Sequence, residues 1–178
     1  MTRQEQLVQE IRDYCAAHAN PELAAKYARY FKEGYDSWGL MDSKSPIWNE
    51  QKEEWTRRYN SLGLKGFLRL GEMLFTSGKY EEASFAFEFA MDLRDTYTPR
   101  SFQRIGKWID SGIRNWGHTE AFSGSVLANF ITDGVVGLDA QVVDARLVAA
   151  GGDGEVDRRV FEHPLRVVAF DARRLRRE

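Results

Sequence analysis

The sequence predicts an all-α protein: about seven helices in paired hairpins, an α-solenoid or α-bundle, followed by an irregular C-terminal tail. Three observations predict it. Apolar residues return at three- and four-residue steps through most of residues 1–131, the period of a helix with one buried side. Three of the expected helix starts carry a polar residue followed by proline, at Asn20-Pro21, Ser45-Pro46 and Thr98-Pro99. The polar side chain can accept from the free amides of the first turn, and the fixed φ of proline suits the first helical position. No stretch before residue 132 reads convincingly as a strand.

The first helix is expected over 2–19, with Leu7, Val8, Ile11, Tyr14 and Cys15 on one stripe. Cys15 reads there as a small buried apolar group rather than a nucleophile. Asn20-Pro21-Glu22 closes that helix and opens a second over about 21–34, with Leu23, Ala24, Tyr27, Ala28, Tyr30 and Phe31, and Gly34 as a stop. Lys26, Arg29 and Lys32 take its other positions. Cations three residues apart make a solvated face, and they also suit a helix that contacts phosphates. Residues 35–45 form a connecting loop anchored by Trp38 and Leu40.

A third helix is expected over about 46–59, carrying Ile47, Trp48, Gln51, Trp55 and Tyr59. The fourth, over about 62–76, is apolar on more than one side and therefore central. Ser77-Gly78-Lys79 turns into a fifth over about 80–94, with Ala83, Phe87, Ala90 and Met91 on one stripe. Thr98-Pro99 opens a sixth through about Ile113, with Phe102, Ile105, Trp108 and Ile109. A seventh runs from Gly117 or His118 to about Ile131.

After Ile131 the vocabulary changes. From Asp133 to Glu178 there is no Lys, Trp, Tyr, Met or Cys, and the segment is mainly Val, Ala, Arg, Asp and Gly. The expected division is a helical domain over 1–131 and a divergent segment over 132–178. That segment is either a genuine tail, partly disordered, or a frame-shifted end.

Composition sets the outer limits. A chain of 178 residues suffices for one domain with a real core. A net charge of −2 does not advertise nucleic-acid binding, nor does it exclude it, because only a patch has to be basic. The single cysteine rules out an internal disulfide framework and a cysteine-based zinc site. His18, His118 and His163 lack metal-ligand spacing, so neither metal nor cofactor is expected. The first ten residues are polar and lack a signal-peptide core, and no apolar run approaches the ~20 residues that span a bilayer. A soluble, cytoplasmic monomer with no membrane association is expected.

The stretch that carries chemistry is Asn115-Trp116-Gly117-His118-Thr119-Glu120. In a helix Trp116 and Glu120, four apart, fall on one side, one turn from each other. An indole face attracts a cation through its quadrupole and a carboxylate attracts it by charge, so the pair suits a planar cationic ligand. The same residues have a plainer reading: a core aromatic at a helix start, and a first-turn acid that complements the helix dipole. His118 reads as a helix cap or as a group orienting the carboxylate.

Phe67, Leu70, Gly71, Leu74, Ala83, Phe87 and Ala90 stand at the spacing of one tetratricopeptide repeat. Stepping 34 residues back gives Asn49, Glu53 and Thr56, and stepping forward gives Gly117, Ala121 and Gly124, so the period does not continue. The match marks a helix hairpin, and a non-catalytic helical-repeat protein-interaction module remains the alternative function.

A second resemblance covers more of the chain. NPELAAKYARYFKEGYDSWGL, the stretch from Gly78 to Ser84, and NWGHTEAFSGSVL resemble the DNA alkylation repair enzymes, α-α superhelices of HEAT-like helical hairpins. The shared order is an Asn-Pro-Glu helix start, an Ala-Arg-Tyr helix, a Gly-Leu turn before a proline, and a Trp followed four residues on by an acid. It spans about residues 8–131, the N-terminal part of the family domain.

The resemblance implies a DNA glycosylase that binds duplex DNA containing alkylated purines and hydrolyses their N-glycosidic bond without a cofactor. It implies catalytic roles for Trp116 and Glu120. Tyr30 would face the lesion, and Lys26, Arg29, Lys32 and His118 would contact DNA. Three departures accompany it. The family acid is usually Asp, and Glu120 is one methylene longer, where a displacement of about 1 Å can cost ~100-fold in rate. The family's second aromatic and its later helices have no counterpart in the tail. Residues 1–131 carry 17 Lys and Arg against 18 Asp and Glu. The implied protein is a truncated member, weakly active or inactive.

Overall fold

A computed structural model of the chain describes residues 1–28, 36–40, 46–111, 113 and 115–137. The side chains of residues 46, 47 and 116 lie outside that description, as does the divergent segment beyond residue 137. The all-α class holds: the described elements are helices, and the one β-type contact among the described residues is an isolated bridge between Asp36 and Lys79. No described helix is long and apolar enough to cross a membrane. The chain divides into two compact units, Met1–Leu93 and a second beginning at Arg94.

In the first unit, α1 spans Arg3–Ala17. Thr2 starts it with a reciprocal cap: Glu5 N donates to Thr2 Oγ1 at 3.2 Å, and Thr2 N donates to Glu5 Oε2 at 2.6 Å. Its buried stripe is Leu7, Val8, Ile11 and Cys15, four of the five expected positions. Burial, reinforced by Glu81 and Glu82, pushes the Cys15 thiol up, which keeps it protonated and unreactive. Helix α2, Pro21–Tyr27, is capped as expected: Leu23 N donates to Asn20 Oδ1 at 3.1 Å. The rest of the expected second helix falls mostly outside the described residues.

Helix α3 spans Pro46–Arg58, α4 Gly63–Phe75 and α5 Tyr80–Asp92. The last two form the expected hairpin. Phe67 meets Phe89 at 5.0 Å and Phe75 meets Phe87 at 5.5 Å, an order that runs antiparallel from the turn. Phe67, Leu70, Gly71, Leu74, Ala83, Phe87 and Ala90 are all buried. Trp48 of α3 stacks on Phe85 at 3.6 Å with planes 5° apart, and Trp55 meets the same ring edge-on at 5.3 Å.

The loop at 36–40 is strapped to the start of α5 by two adjacent carboxylates, Glu81 and Glu82, which are 4% and 1% exposed. Glu81 accepts from Ser37 Oγ at 2.7 Å, Trp38 N at 2.9 Å and Leu40 N at 3.1 Å. Glu82 accepts the Trp38 indole N–H at 3.3 Å and Arg12 Nε at 3.1 Å. Trp38 and Leu40, both half-buried, thus anchor the loop as expected, and they do so through polar contacts. Gly39 between them has φ +71°, and a Cβ there would sit 2.2 Å from the Asn20 carbonyl oxygen. Only glycine passes.

In the second unit, Thr98 caps α6, Pro99–Gly106, by accepting from Ser101 N at 3.1 Å. The expected sixth helix does not run unbroken to Ile113. It tightens at Lys107, whose N–H reaches back three residues to Arg104 O at 3.1 Å, and continues as α7, Trp108–Ser111. The buried side chains explain the break. Phe102, Ile105 and Trp108 are each three apart, and three α-helical residues fall about 60° short of a full turn. A three-residue period keeps them on one side, and Gly106 weakens the helix where it changes.

The seventh helix starts one residue earlier than expected, as α8, Trp116–Ala121. It passes through a π-helical stretch, Phe122–Leu127, into α9, Ala128–Thr132. Here the buried side chains His118, Phe122, Val126 and Phe130 are four apart. Each such step overshoots an α-turn by about 40°. The wider i→i+5 turn removes the drift. The two arms are antiparallel: Phe130 stacks on Tyr97 at 3.8 Å and meets Phe102 at 5.2 Å, while Trp108 meets Phe122 at 6.4 Å.

Candidate functional site

The Asn115–Glu120 stretch forms a capped helix start. Asn115 is extended, at φ −118° and ψ 157°, and its Oδ1 accepts from His118 N at 2.8 Å. The same amide places Nδ2 3.1 Å from His118 Nδ1. Because Oδ1 is committed to the backbone, the NH2 group must face the ring. His118 Nδ1 is then the acceptor, and the imidazole carries its proton on Nε2. Both side chains are interior, Asn115 5% and His118 1% exposed. Thr119 closes the turn, donating Oγ1–H to the Asn115 carbonyl at 2.9 Å.

The side chains of Asn115 and Thr119 are thus committed to the helix start, and Glu120 stands apart from them. Glu120 is exposed and has no hydrogen bond or ion pair among the described residues. It is the fifth residue of α8, past the first turn, so it does not serve the helix dipole as the plainer reading expected. Trp116 is the first residue of the helix, and by register it precedes Glu120 by one turn.

The remaining expected site residues are less gathered. Lys26 lies exposed in the last turn of α2, in the first unit, without an ion pair among the described residues. Tyr30, Arg29 and Lys32 lie outside the described residues. The His118 ring is buried, not on a surface that could meet a phosphate.

Sequence reasoning passed over two features. One is Asn115, whose position just before the helix and three residues before His118 is a capping signature. The other is a cationic stripe on α6, Arg100, Arg104 and Lys107, at steps of four and three. Arg100 and Lys107 are exposed and without an ion pair among the described residues. Arg100 stands two residues, about 200°, from the packed Phe102, so the stripe lies on the outer side of its arm.

A family model described as DNA alkylation repair enzyme matches residues 11–143. The matched span nearly coincides with the 8–131 stretch that carried the resemblance. No curated protein and no solved structure matches the chain.

Proposed function

The chain belongs to the DNA alkylation repair enzyme family, and on that footing we propose that it binds duplex DNA and hydrolyses the N-glycosidic bond of cationic alkylated purines. The observation that carries the reading is Glu120. An exposed carboxylate with no partner among the described residues stands one helical turn after a tryptophan, in a motif whose Asn115 and Thr119 side chains hold the backbone.

An alkylated purine bears a positive charge, so the glycosidic electron pair leaves with the base as a neutral alkylpurine. The sugar is left oxocarbenium-like at C1′. The Glu120 carboxylate stabilises that growing charge. It also takes a proton from the water whose oxygen bonds to C1′. Trp116 supplies a face that favours the cationic base. Tyr30 faces the lesion, and Lys26, Arg29 and Lys32 contact phosphates, which makes affinity fall with salt. Residues 1–131 form the repair domain, acting as a monomer without a cofactor. The longer side chain of Glu120 keeps turnover slow.

The test is release of methylated purine from alkylated duplex DNA by wild type and Glu120→Gln. Release by wild type, and a rate at least about 100-fold lower in the variant, is expected, in line with the worth of a general base. Equal rates remove Glu120 from the mechanism.

A further inference from the structure

Helix α8 opens a helical run that continues through the π-stretch Phe122–Leu127 into α9. Where that run begins and how it is seated are set by anchors on either side of α8. At the C-terminal end the buried ladder Phe122, Val126 and Phe130 fixes the chain through the π-turn. At the N-terminal end the chain places a polar pair in the interior, Asn115 and His118. Burying an imidazole and an amide is unfavourable unless their polar atoms are matched. Here two contacts match the amide and one ring nitrogen: Oδ1 with the His118 N–H at 2.8 Å, and Nδ2 with Nδ1 at 3.1 Å.

A simple cap needs only the first contact, which Ser or Asp supplies equally well. The second needs a side chain that accepts with one atom and donates with the next. An apolar residue at 118 would fill the space without fixing the ring's rotation. The pairing selects one orientation of a ring that lies halfway between Trp116 and Glu120 in the chain. We propose that Asn115 and His118 are positioning residues for the proposed site: their buried pairing sets where α8 begins and hence where Trp116 and Glu120 stand. The inference rests on the repair reading for its functional meaning, and on the side-chain geometry for its structural meaning.

The test uses the full chain with Asn115→Ser, Asn115→Asp and His118→Phe. Serine keeps the acceptor for His118 N–H but does not reach the ring. Aspartate keeps the acceptor and can take a proton from Nδ1 once the imidazole changes tautomer, so it is the rescuing variant. Two readouts are taken: amide hydrogen exchange at residues 116–121 of the free protein, and the single-turnover rate of methylpurine release with the affinity for unmodified duplex.

Asn115→Ser and His118→Phe should exchange about tenfold faster at 116–121. They should release methylpurine about tenfold more slowly, a loss in keeping with sub-ångström displacement at a reacting centre. Duplex affinity should be unchanged, and Asn115→Asp should stay near wild type in both readouts. Unchanged exchange at 116–121 in Asn115→Ser and His118→Phe overturns the proposal. So does a rate loss that Asn115→Asp shares equally. If wild type releases no methylpurine, the glycosylase reading falls. The exchange arm then decides the positioning claim alone: faster exchange in Asn115→Ser but not in Asn115→Asp upholds it, and equal exchange overturns it.

Discussion

Glu81 receives the Ser37 hydroxyl at 2.7 Å across 44 residues of sequence, and it does so inside the protein. With the Trp38 and Leu40 amides on the same carboxylate, it holds the 36–40 loop onto α5. Removing it takes the acceptor from one buried donor and two half-buried ones. Glu81→Ala should therefore destabilise the chain by about 3 kcal/mol, roughly 1 kcal/mol for each donor that loses its acceptor. Urea unfolding followed by circular dichroism measures it. A loss under about 1 kcal/mol would show that the loop is held by Trp38 and Gly39 packing instead.

Two tryptophans of α3 make a paired test of polar satisfaction. The Trp55 indole N–H donates to Glu10 Oε2 at 3.2 Å. The buried Trp48 indole N–H has no acceptor among the described residues, although its ring stacks on Phe85. Trp→Phe shrinks the ring at both sites but relieves an unsatisfied donor only at 48. Trp48→Phe should cost no more than about 1 kcal/mol, and Trp55→Phe at least about 1 kcal/mol more than that. The difference between the two urea midpoints, at unchanged slope, is the readout. Equal costs would mean that ring volume alone sets both.

Charge on the second unit separates attractive-looking cations from useful ones. Arg100 and Lys107 line the outer side of the α6–α7 arm, and Glu120 is exposed on the outer side of the antiparallel α8–α9 arm. The outer sides of two arms packed against each other face opposite ways. One stretch of duplex serving Glu120 does not also lie on the α6 stripe. Arg100→Gln with Lys107→Gln should leave the slope of log affinity against log salt unchanged. Lys26→Gln should lower it by about one. The reverse pattern would move the phosphate contacts to α6.

What could be read from sequence follows how far each interaction reaches along the chain. The caps at Asn20 and Thr98 were legible because donor and acceptor lie three residues apart. The α4–α5 hairpin was legible because small and aromatic residues repeat at helical steps on both sides of a short turn. The strap of Glu81 and Glu82 on Trp38 was not, since the partners are more than 40 residues apart and a pair of glutamates at a helix start normally reads as solvated. The break at Lys107 and the π-turn at Phe122 were missed for another reason. Their apolar spacings, three and four, both pass as α-helical, and only their strict repetition shows a shorter or longer period. At the candidate site, the spacing of Trp116 and Glu120 was plain in the sequence. The commitment of Asn115 and His118 to each other needed coordinates, because burial decides between a cap and a surface group.

The π-turn also bears on how this chain tolerates loss of a residue. Elsewhere in a helix, deleting one position swings everything downstream by about 100° and turns the core side chains outward. Within Phe122–Leu127 the wide turn holds a spare residue. Deleting it would rewind the stretch as ordinary α-helix, with Phe130 seven positions from Phe122, two turns on and still beneath Tyr97. A lineage carrying this fold could shed a codon there, or gain it back, without unseating the hairpin that carries Glu120.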